Sequence, residues 1–424
     1  MPNVTKAFTD YLFDKSSVIT DEIRKRAEAC LQDYMSVAAA GAAKNRIRWE
    51  PLLYRTPTGP AEIVGYPERV DGKMAALING FNAHALELDD GHRFAMIHLG
   101  ASIISAIKAA ADEIEVREGS FQTGIIMGYE AACRTAIAIQ PAHKNQGYHA
   151  SGTCGTIGSA VGVAFALGMD KTQMERVITC AAGSAAGLLE IQEQGSEIKP
   201  YNLGRAAMDG LTSAYMGFAD YDIPDDMLGG KRGFFKVFSD GFNCEKLIEK
   251  TDYFEIERIY VKPYASCRHS HSAVEAAVKL HEGLDAENIE QVMIYTYGLG
   301  VKGHDHTHIK GISSAKLSTP YAVAAALRYG RADLSVFEPL DGTLIALANK
   351  MKVVEDPTLT AECPQKRIAV VTVRMMDGTT HSARVEYAKG DPENPMTTEE
   401  LREKSFLLSA YSENMKATPE KGDI

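Results

Sequence analysis

Two textures of hydrophobic and polar positions divide the chain. From Thr20, the stretch TDEIRKRAEACLQDYMSVAAAGAA sets Ile23, Ala27, Leu31, Tyr34 and Met35 at helical spacing behind an N-cap threonine and acidic first-turn residues. Segments 73–87, 101–114, 121–139, 156–168, 172–190 and 205–220 repeat that period. Alanine and glycine are abundant in them, which predicts closely packed helices buried on more than one face. Near Tyr253 the texture changes. FEIERIYVKPY and EQVMIYTYGLG read as strands by their β-branched and aromatic content. RIAVVTVRMMDGTTHSARVEYAKG reads as a hairpin turning at Asp377-Gly378. HSAVEAAVKLHEGL and STPYAVAAALRYG between them read as helices. TTEELREKSFLLSAY, with Thr397 and Glu400 spaced as a capping box, returns to helix. The expected fold class is mainly α. A large all-helical domain spans residues 1–252 and is completed by 394–424, and a smaller α+β domain spans 253–393.

The length of 424 residues suits two domains. Lys and Arg number 45 against 56 Asp and Glu, a formal charge of −11. That argues against a nucleic-acid groove or an anionic membrane surface as partner, though a local basic pocket can still take an anionic small molecule. No apolar run approaches the roughly 18 residues of a membrane span, and the polar N-terminus does not read as a signal peptide. The seven cysteines form no CxxC pair, so they read as small core residues in a reducing compartment, and a cytoplasmic location is expected.

One charged stretch interrupts the oily helices. ELDDGHRFAMIHLG, residues 87–100, holds three carboxylates, two histidines and an arginine between two apolar segments. It could be a metal site, a proton-transfer site or a solvated loop. Four more clusters carry chemistry. NQGYHASGTCGTIGSA (145–160) is glycine-rich but follows a helix and lacks the P-loop Lys-Ser/Thr, so it reads as a helix N-terminus led by Tyr148 and His149 that suits an anionic group. EQGSEIKPYNLGRAAMDG (193–210) puts Lys199 beside a small-residue helix, where a lysine anchors a carboxylate or serves as a base. VKPYASCRHSHSA (261–273) gathers Lys262, Tyr264, Cys267, Arg268, His269 and His271 at a strand–helix junction. VKGHDHTHIKG (301–311) spaces His304, His306 and His308 by two, which would align three imidazoles on an extended strand and supports a metal-dependent hydrolase as a rival reading. The flanking glycines favour a loop instead.

Taken in order, these blocks resemble the MmgE/PrpD family. They run VITDEIRKRAEACLQDYMSVAAAG, NGFNAHALELDDGH with HLGA, GYHASGTCG, IKPYNLGRAA, KPYASCRHSHSAVEA, AKLSTPYAVAAAL and GDPENPMTTEELREKS, and they cover nearly the whole chain. The resemblance implies a helical domain with an α+β lid, an active site between them, a homodimer, and no metal or organic cofactor. It implies acid–base chemistry at a carbon next to a carboxylate of a small di- or tricarboxylate. A hydro-lyase like 2-methylcitrate dehydratase comes first, a dicarboxylate epimerase like the iminodisuccinate epimerases second, and a decarboxylase of the cis-aconitate type third. Carried over by position, the site residues are Glu87, Asp90, His98, His149, Lys199, Lys262, Arg268, His271 and Tyr321. His149, Lys199, His98 and Tyr148 are the candidate catalytic groups; Glu87, Asp90, Lys262, Arg268, His271 and Tyr321 are the candidate substrate-binding groups. The sequence departs from the family where DFDDT becomes Glu87-Leu88-Asp89-Asp90-Gly91 and where HPG or HPS becomes His98-Leu99-Gly100. Cys267-Arg268 stands where decarboxylase members have a histidine, which counts against that reading. His92 and Arg93 have no counterpart and read as solvated loop.

Overall fold

A computed structural model describes residues 3–417. They divide into two units. The first comprises the chain up to Ile191, Ile198–Ile259 and the residues from Glu399; the second comprises Gln192–Glu197 and Tyr260–Thr398.

The first unit is helical, as the patterning predicts. Its main helices are α1 (Val4–Ser16), α2 (Asp21–Leu53), α3 (Gly72–His84), α4 (Gly100–Glu113), α5 (Ser120–Ile137), α6 (Ala150–Ala166), α7 (Lys171–Ser184) and α8 (Tyr201–Tyr215). Thr20 caps α2 by accepting from the Ile23 N–H, and Asp170 caps α7 in a capping box with Gln173. Helix α6 begins six residues before the position its period suggests. Glycines 152, 155 and 158 lower its propensity, but close packing recovers it. A Cβ on Gly158 would sit 2.7 Å from the Gly128 carbonyl oxygen of α5, and one on Gly128 would sit 2.8 Å from that of Gly158. The two backbones therefore cross nearly in contact, and every residue of α6 is buried.

The expected strand at FEIERIYVKPY is mostly absent. Glu255–Arg258 form a 3₁₀ turn, and only Ile259–Tyr260 are extended. Carboxylates take the N–H groups that a strand ladder would use: Glu255 N–H donates to Glu130 Oε2 at 2.7 Å, and Phe254 N–H to Glu257 Oε2 at 2.7 Å.

The second unit carries a four-stranded sheet. Strand β1 (Ile289–Thr296) lies between β2 (Met351–Glu355), parallel to it, and β3 (Ala369–Met375), antiparallel; β4 (Thr380–Val385) completes the order β2-β1-β3-β4. Gly378 (φ 88°) supplies the left-handed residue of the β3–β4 turn. Buried Val292 and Ile294 on β1 and Val371 and Val373 on β3 face the core, where helices α9 (His271–His281) and α10 (Thr319–Tyr329) pack. The last described helix, α11 (Thr398–Ala417), belongs to the first unit from Glu399 onward. Among the described residues no helix is long and apolar enough to cross a membrane.

Candidate functional site

The charged stretch is a buried turn between two helices. Helix α3 ends at His84, and Glu87 follows in a left-handed conformation (φ 57°); Met96 does the same farther on (φ 51°). Among the described residues these are the two non-glycine positions with positive φ. Each such residue costs roughly 1–3 kcal/mol and collects at functional loops. Between them, His92 N–H donates to the Ile97 carbonyl at 2.9 Å, closing a small loop that delivers His98. Asp90 anchors the far end. Its Oδ1 accepts from the Gly100 N–H at 2.9 Å, at the start of α4, and its Oδ2 from the Tyr129 hydroxyl at 2.5 Å. Burial pushes the Asp90 carboxyl up to about 6, against these two hydrogen bonds. Its partners make Asp90 a helix cap.

On this frame two histidines share one carboxylate oxygen. His84 Nδ1 lies 2.8 Å from Asp89 Oδ2 and His98 Nδ1 lies 3.3 Å from it. His98 Nδ1 also contacts the Asp90 carbonyl oxygen at 2.9 Å. A carbonyl only accepts, so Nδ1 carries the hydrogen, and Nε2 is the basic nitrogen of neutral His98. The His98 N–H donates to Ser151 Oγ at 3.0 Å, which ties the loop to α6.

His149, the N-cap residue of α6, has the opposite tautomer. Asn202 Nδ2 lies 3.3 Å from the Leu188 carbonyl and 3.0 Å from His149 Nδ1. The carbonyl fixes the amide orientation, so Asn202 donates to Nδ1 and neutral His149 carries its proton on Nε2. Burial first, then the Lys199 charge, holds the His149 imidazole well below its ordinary value; His84 and His98 add to this and Glu87 opposes it. Lys199, 7% exposed, pairs with Glu87. Glu87 Oε1 is also 3.5 Å from His84 Nε2. Glu87, His84, Asp89, His98, His149, Asn202 and Lys199 thus form one electrostatic cluster inside the helical unit.

His84, Asp89 and His98 also form the one group of three metal-ligating residue types whose donor atoms all lie within 4.8 Å of one another among the described residues. Two imidazoles and a carboxylate suit a divalent ion. The Nδ1–H of His98, however, is committed to the Asp89 and Asp90 oxygens, as a hydrogen-bond donor and not a ligand nitrogen. The histidines of the 301–311 loop do not converge on such a group. His304 Nδ1 faces the Leu317 carbonyl at 3.0 Å, His306 Nε2 faces that of Ser314 at 3.1 Å, and His308 is exposed.

Comparison with known proteins reaches the whole of this arrangement. The MmgE/PrpD N-terminal domain matches residues 8–247 and the MmgE/PrpD C-terminal domain residues 264–418. The chain belongs to the MmgE/PrpD family. Among curated relatives, cis-aconitate decarboxylase of Aspergillus terreus (strain NIH 2624 / FGSC A1156) is 27% identical over 77% of this chain and 72% of its own length. The cis-aconitate decarboxylase-like protein oryM of Aspergillus oryzae is 26% identical over 96% and 91%. The cis-aconitate decarboxylase of Mus musculus is 21% identical over 95% and 86%.

In this MmgE/PrpD chain the remaining site residues singled out from sequence are Tyr148 in the helical unit and four in the α+β unit. The Tyr148 ring stacks on His143 at 5.0 Å and meets Phe238 edge-on at 5.1 Å. Lys262, Arg268, His271 and Tyr321 lie in the α+β unit. Lys262 is fully buried. Arg268 pairs with Asp391 at 2.6 Å and contacts His271 Nδ1 at 2.8 Å, while His271 Nε2 faces the Ser266 carbonyl at 3.1 Å. The Tyr321 hydroxyl donates to the Val336 carbonyl and accepts from the Asp341 N–H at 3.1 Å. His92 and Arg93 are not solvated loop: both are buried, His92 completely. His92 Nδ1 accepts from the Ala95 N–H at 3.1 Å and its Nε2 lies 3.0 Å from Glu255. Sequence reasoning passed over His84, Asp89 and Asn202. The spacing of His84 three residues before Glu87, at a helix end, was the available signal for the first.

Proposed function

We propose that the chain is a lyase that moves a proton at the carbon beside a carboxylate of a small di- or tricarboxylate, and that its reaction is the dehydration or hydration of a hydroxy-polycarboxylate. The observation that carries this reading is that His98 and His149, in opposite tautomers, belong to one buried electrostatic cluster with Lys199. His98, backed by Asp89 in a carboxylate–imidazole pair, presents a basic Nε2 suited to taking the proton. His149, kept neutral, presents an Nε2–H that can donate to a substrate oxygen without the cost of a buried imidazolium. Lys199 supplies positive charge for the aci-carboxylate that proton loss creates, and Glu87 fixes where that charge sits. Loss of a β-hydroxyl from such an intermediate gives the unsaturated acid.

A second reading is decarboxylation of an unsaturated tricarboxylate, favoured by the names of the relatives. It uses the same residues with the proton moving the other way: an acid such as the His149 Nε2–H gives a proton to the alkene carbon, the double bond shifts, and the carbon–carboxylate bond breaks to release carbon dioxide. One experiment separates these readings. The protein is incubated in D₂O with citrate-, malate- and aspartate-type acids and with cis-aconitate, and followed by NMR. Alkene formation from a hydroxy acid, or its reverse, supports hydro-lyase action. Loss of carbon dioxide supports the second reading, and exchange with stereochemical inversion but no alkene points to an epimerase. If no acid of the panel exchanges or reacts, the proton-transfer reading is wrong.

A further inference from the structure

The 301–311 loop that gathers no metal group holds one of its histidines against a thiol. Cys267 Sγ lies 3.8 Å from His304 Nε2, and His304 Nδ1 lies 3.0 Å from the Leu317 carbonyl oxygen. That carbonyl requires the hydrogen on Nδ1, so the nitrogen turned to the thiol is the basic one. The thiol is therefore the donor and the imidazole the acceptor, the arrangement that activates a cysteine nucleophile.

Both partners are held in place by backbone bonds within the α+β unit. Cys267 N–H donates to the Lys316 carbonyl at 2.8 Å, His304 N–H to that of Val301 at 3.0 Å, and Thr319 N–H to that of His304 at 2.8 Å. The His269 ring lies 5.2 Å from that of His304, with its own Nδ1 2.8 Å from the Tyr297 hydroxyl. Exposure separates Cys267 from most other thiols. Cys30, Cys133, Cys154 and Cys244 are buried, whereas Cys267 and His304, like Cys180 and Cys363, are half-buried. Burial pushes the thiols of those four cysteines, and that of half-buried Cys180, above the usual range.

We propose that Cys267, with His304 as its proton acceptor, is a site of covalent modification by soft electrophiles whose carbon–carbon double bond is conjugated to a carbonyl. The thiol proton passes to His304 Nε2 and the sulfur attacks the β-carbon. A carbon–sulfur bond forms, the π pair moves to the α-carbon, and that carbon takes up the proton from His304. The product is a thioether, with no oxidant or reductant involved. The proposal stands independently of the lyase reading.

The test is competitive labelling of the intact protein with limiting N-ethylmaleimide, read by peptide mass mapping across pH. Cys267 should label about tenfold faster than Cys180 at neutral pH. His304→Asn keeps a donor for the Leu317 carbonyl but removes the basic nitrogen. It should slow Cys267 about tenfold, move its pH midpoint upward and leave the Cys180 rate unchanged. If that variant does not fold, the wild-type profiles decide: a Cys267 midpoint below that of Cys180 supports the pair. Equal rates and midpoints for the two cysteines, or a folded His304→Asn protein with an unaltered Cys267 profile, overturn it.

Discussion

The imidazoles of His84 and His98 lie 4.7 Å apart, centroid to centroid, and both turn Nδ1 toward the same oxygen of Asp89. One carboxylate thereby orients two rings. Of the two, His98 is the more open, its side chain 15% exposed against none for His84. The proposed base is thus the more open ring, with a buried one behind its carboxylate.

Removing the His98 Nε2 tests that proposal. His98→Gln should lower solvent proton exchange into substrate by roughly 10²–10⁴-fold, the range for loss of a general base. Asp89→Asn should cost less, because Nε2 survives while its orientation loosens. Lys199→Ala and His149→Ala should each abolish exchange in folded protein. Near-normal exchange in any folded variant removes that residue from the mechanism.

The pH dependence follows from His149. Its folded value lies well below 6.5, chiefly through burial and next through Lys199. A depressed base contributes stability above its unfolded value and loses it as pH falls through and below that value, because the unfolded chain binds the proton first. Acid destabilisation should therefore set in below about pH 6.5, and Lys199→Met should raise the His149 midpoint. Nitrogen-15 NMR titration of the imidazoles reads this directly; a His149 midpoint at or above 6.5 in the wild type contradicts it.

Asp90 titrates in the opposite sense. Its rise from 3.8 to about 6 corresponds to about 3 kcal/mol. A raised carboxyl favours the folded state most at low pH, and that contribution is lost as pH rises through about 6. In urea melts, the stability gap between wild type and Asp90→Asn should close, and then reverse, as pH rises from 4 to 7, because the wild type alone loses that contribution between 3.8 and about 6. At low pH the variant should be weaker by about 1–2 kcal/mol for its damaged cap. A gap that widens with pH would show that Asp90 is an ordinary ionised carboxylate.

A buried ionic network lies behind the loop. Glu130 accepts from the Tyr11 hydroxyl at 2.7 Å, from Arg134 Nε at 2.9 Å and from the Glu255 N–H; Glu255 in turn faces His92 and Arg258. Removing one member leaves its partners uncompensated, so Glu130→Ala should cost about 3–5 kcal/mol. Thermal melts at fixed pH would show this as a large fall in Tm, and a fall no larger than that of a surface variant would mean the network relaxes.

Legibility in the sequence followed from range. The helical unit was readable because its period is local, and the β3–β4 hairpin because Asp377-Gly378 is a local turn signal. The early start of α6 was hidden, since it depends on glycines meeting another helix. The Glu255 turn was misread because the carboxylate that takes its N–H comes from Glu130, in α5. At the site, Glu87, Asp90, His98, His149 and Lys199 stood out by residue type. Their roles did not: Asp90 proved to be a cap, and the His149 tautomer is set by Asn202, which no motif marked. His92 looked solvated only because Glu255 lies 163 positions away, as 255 minus 92.

Lys404, on α11, donates to the Leu88 carbonyl at 2.9 Å and pairs with Asp33 at 2.6 Å. Leu88 sits between Glu87 and Asp89, so a residue 316 positions downstream makes one of the contacts that hold this turn. During synthesis the turn emerges from the ribosome long before that contact exists. Until α11 is made, the Leu88 carbonyl lacks its bond to Lys404 and Asp33 lacks its ion pair. A single cut before α11 would therefore take from the Glu87–Asp89 turn a bond that its own neighbourhood in the chain cannot replace.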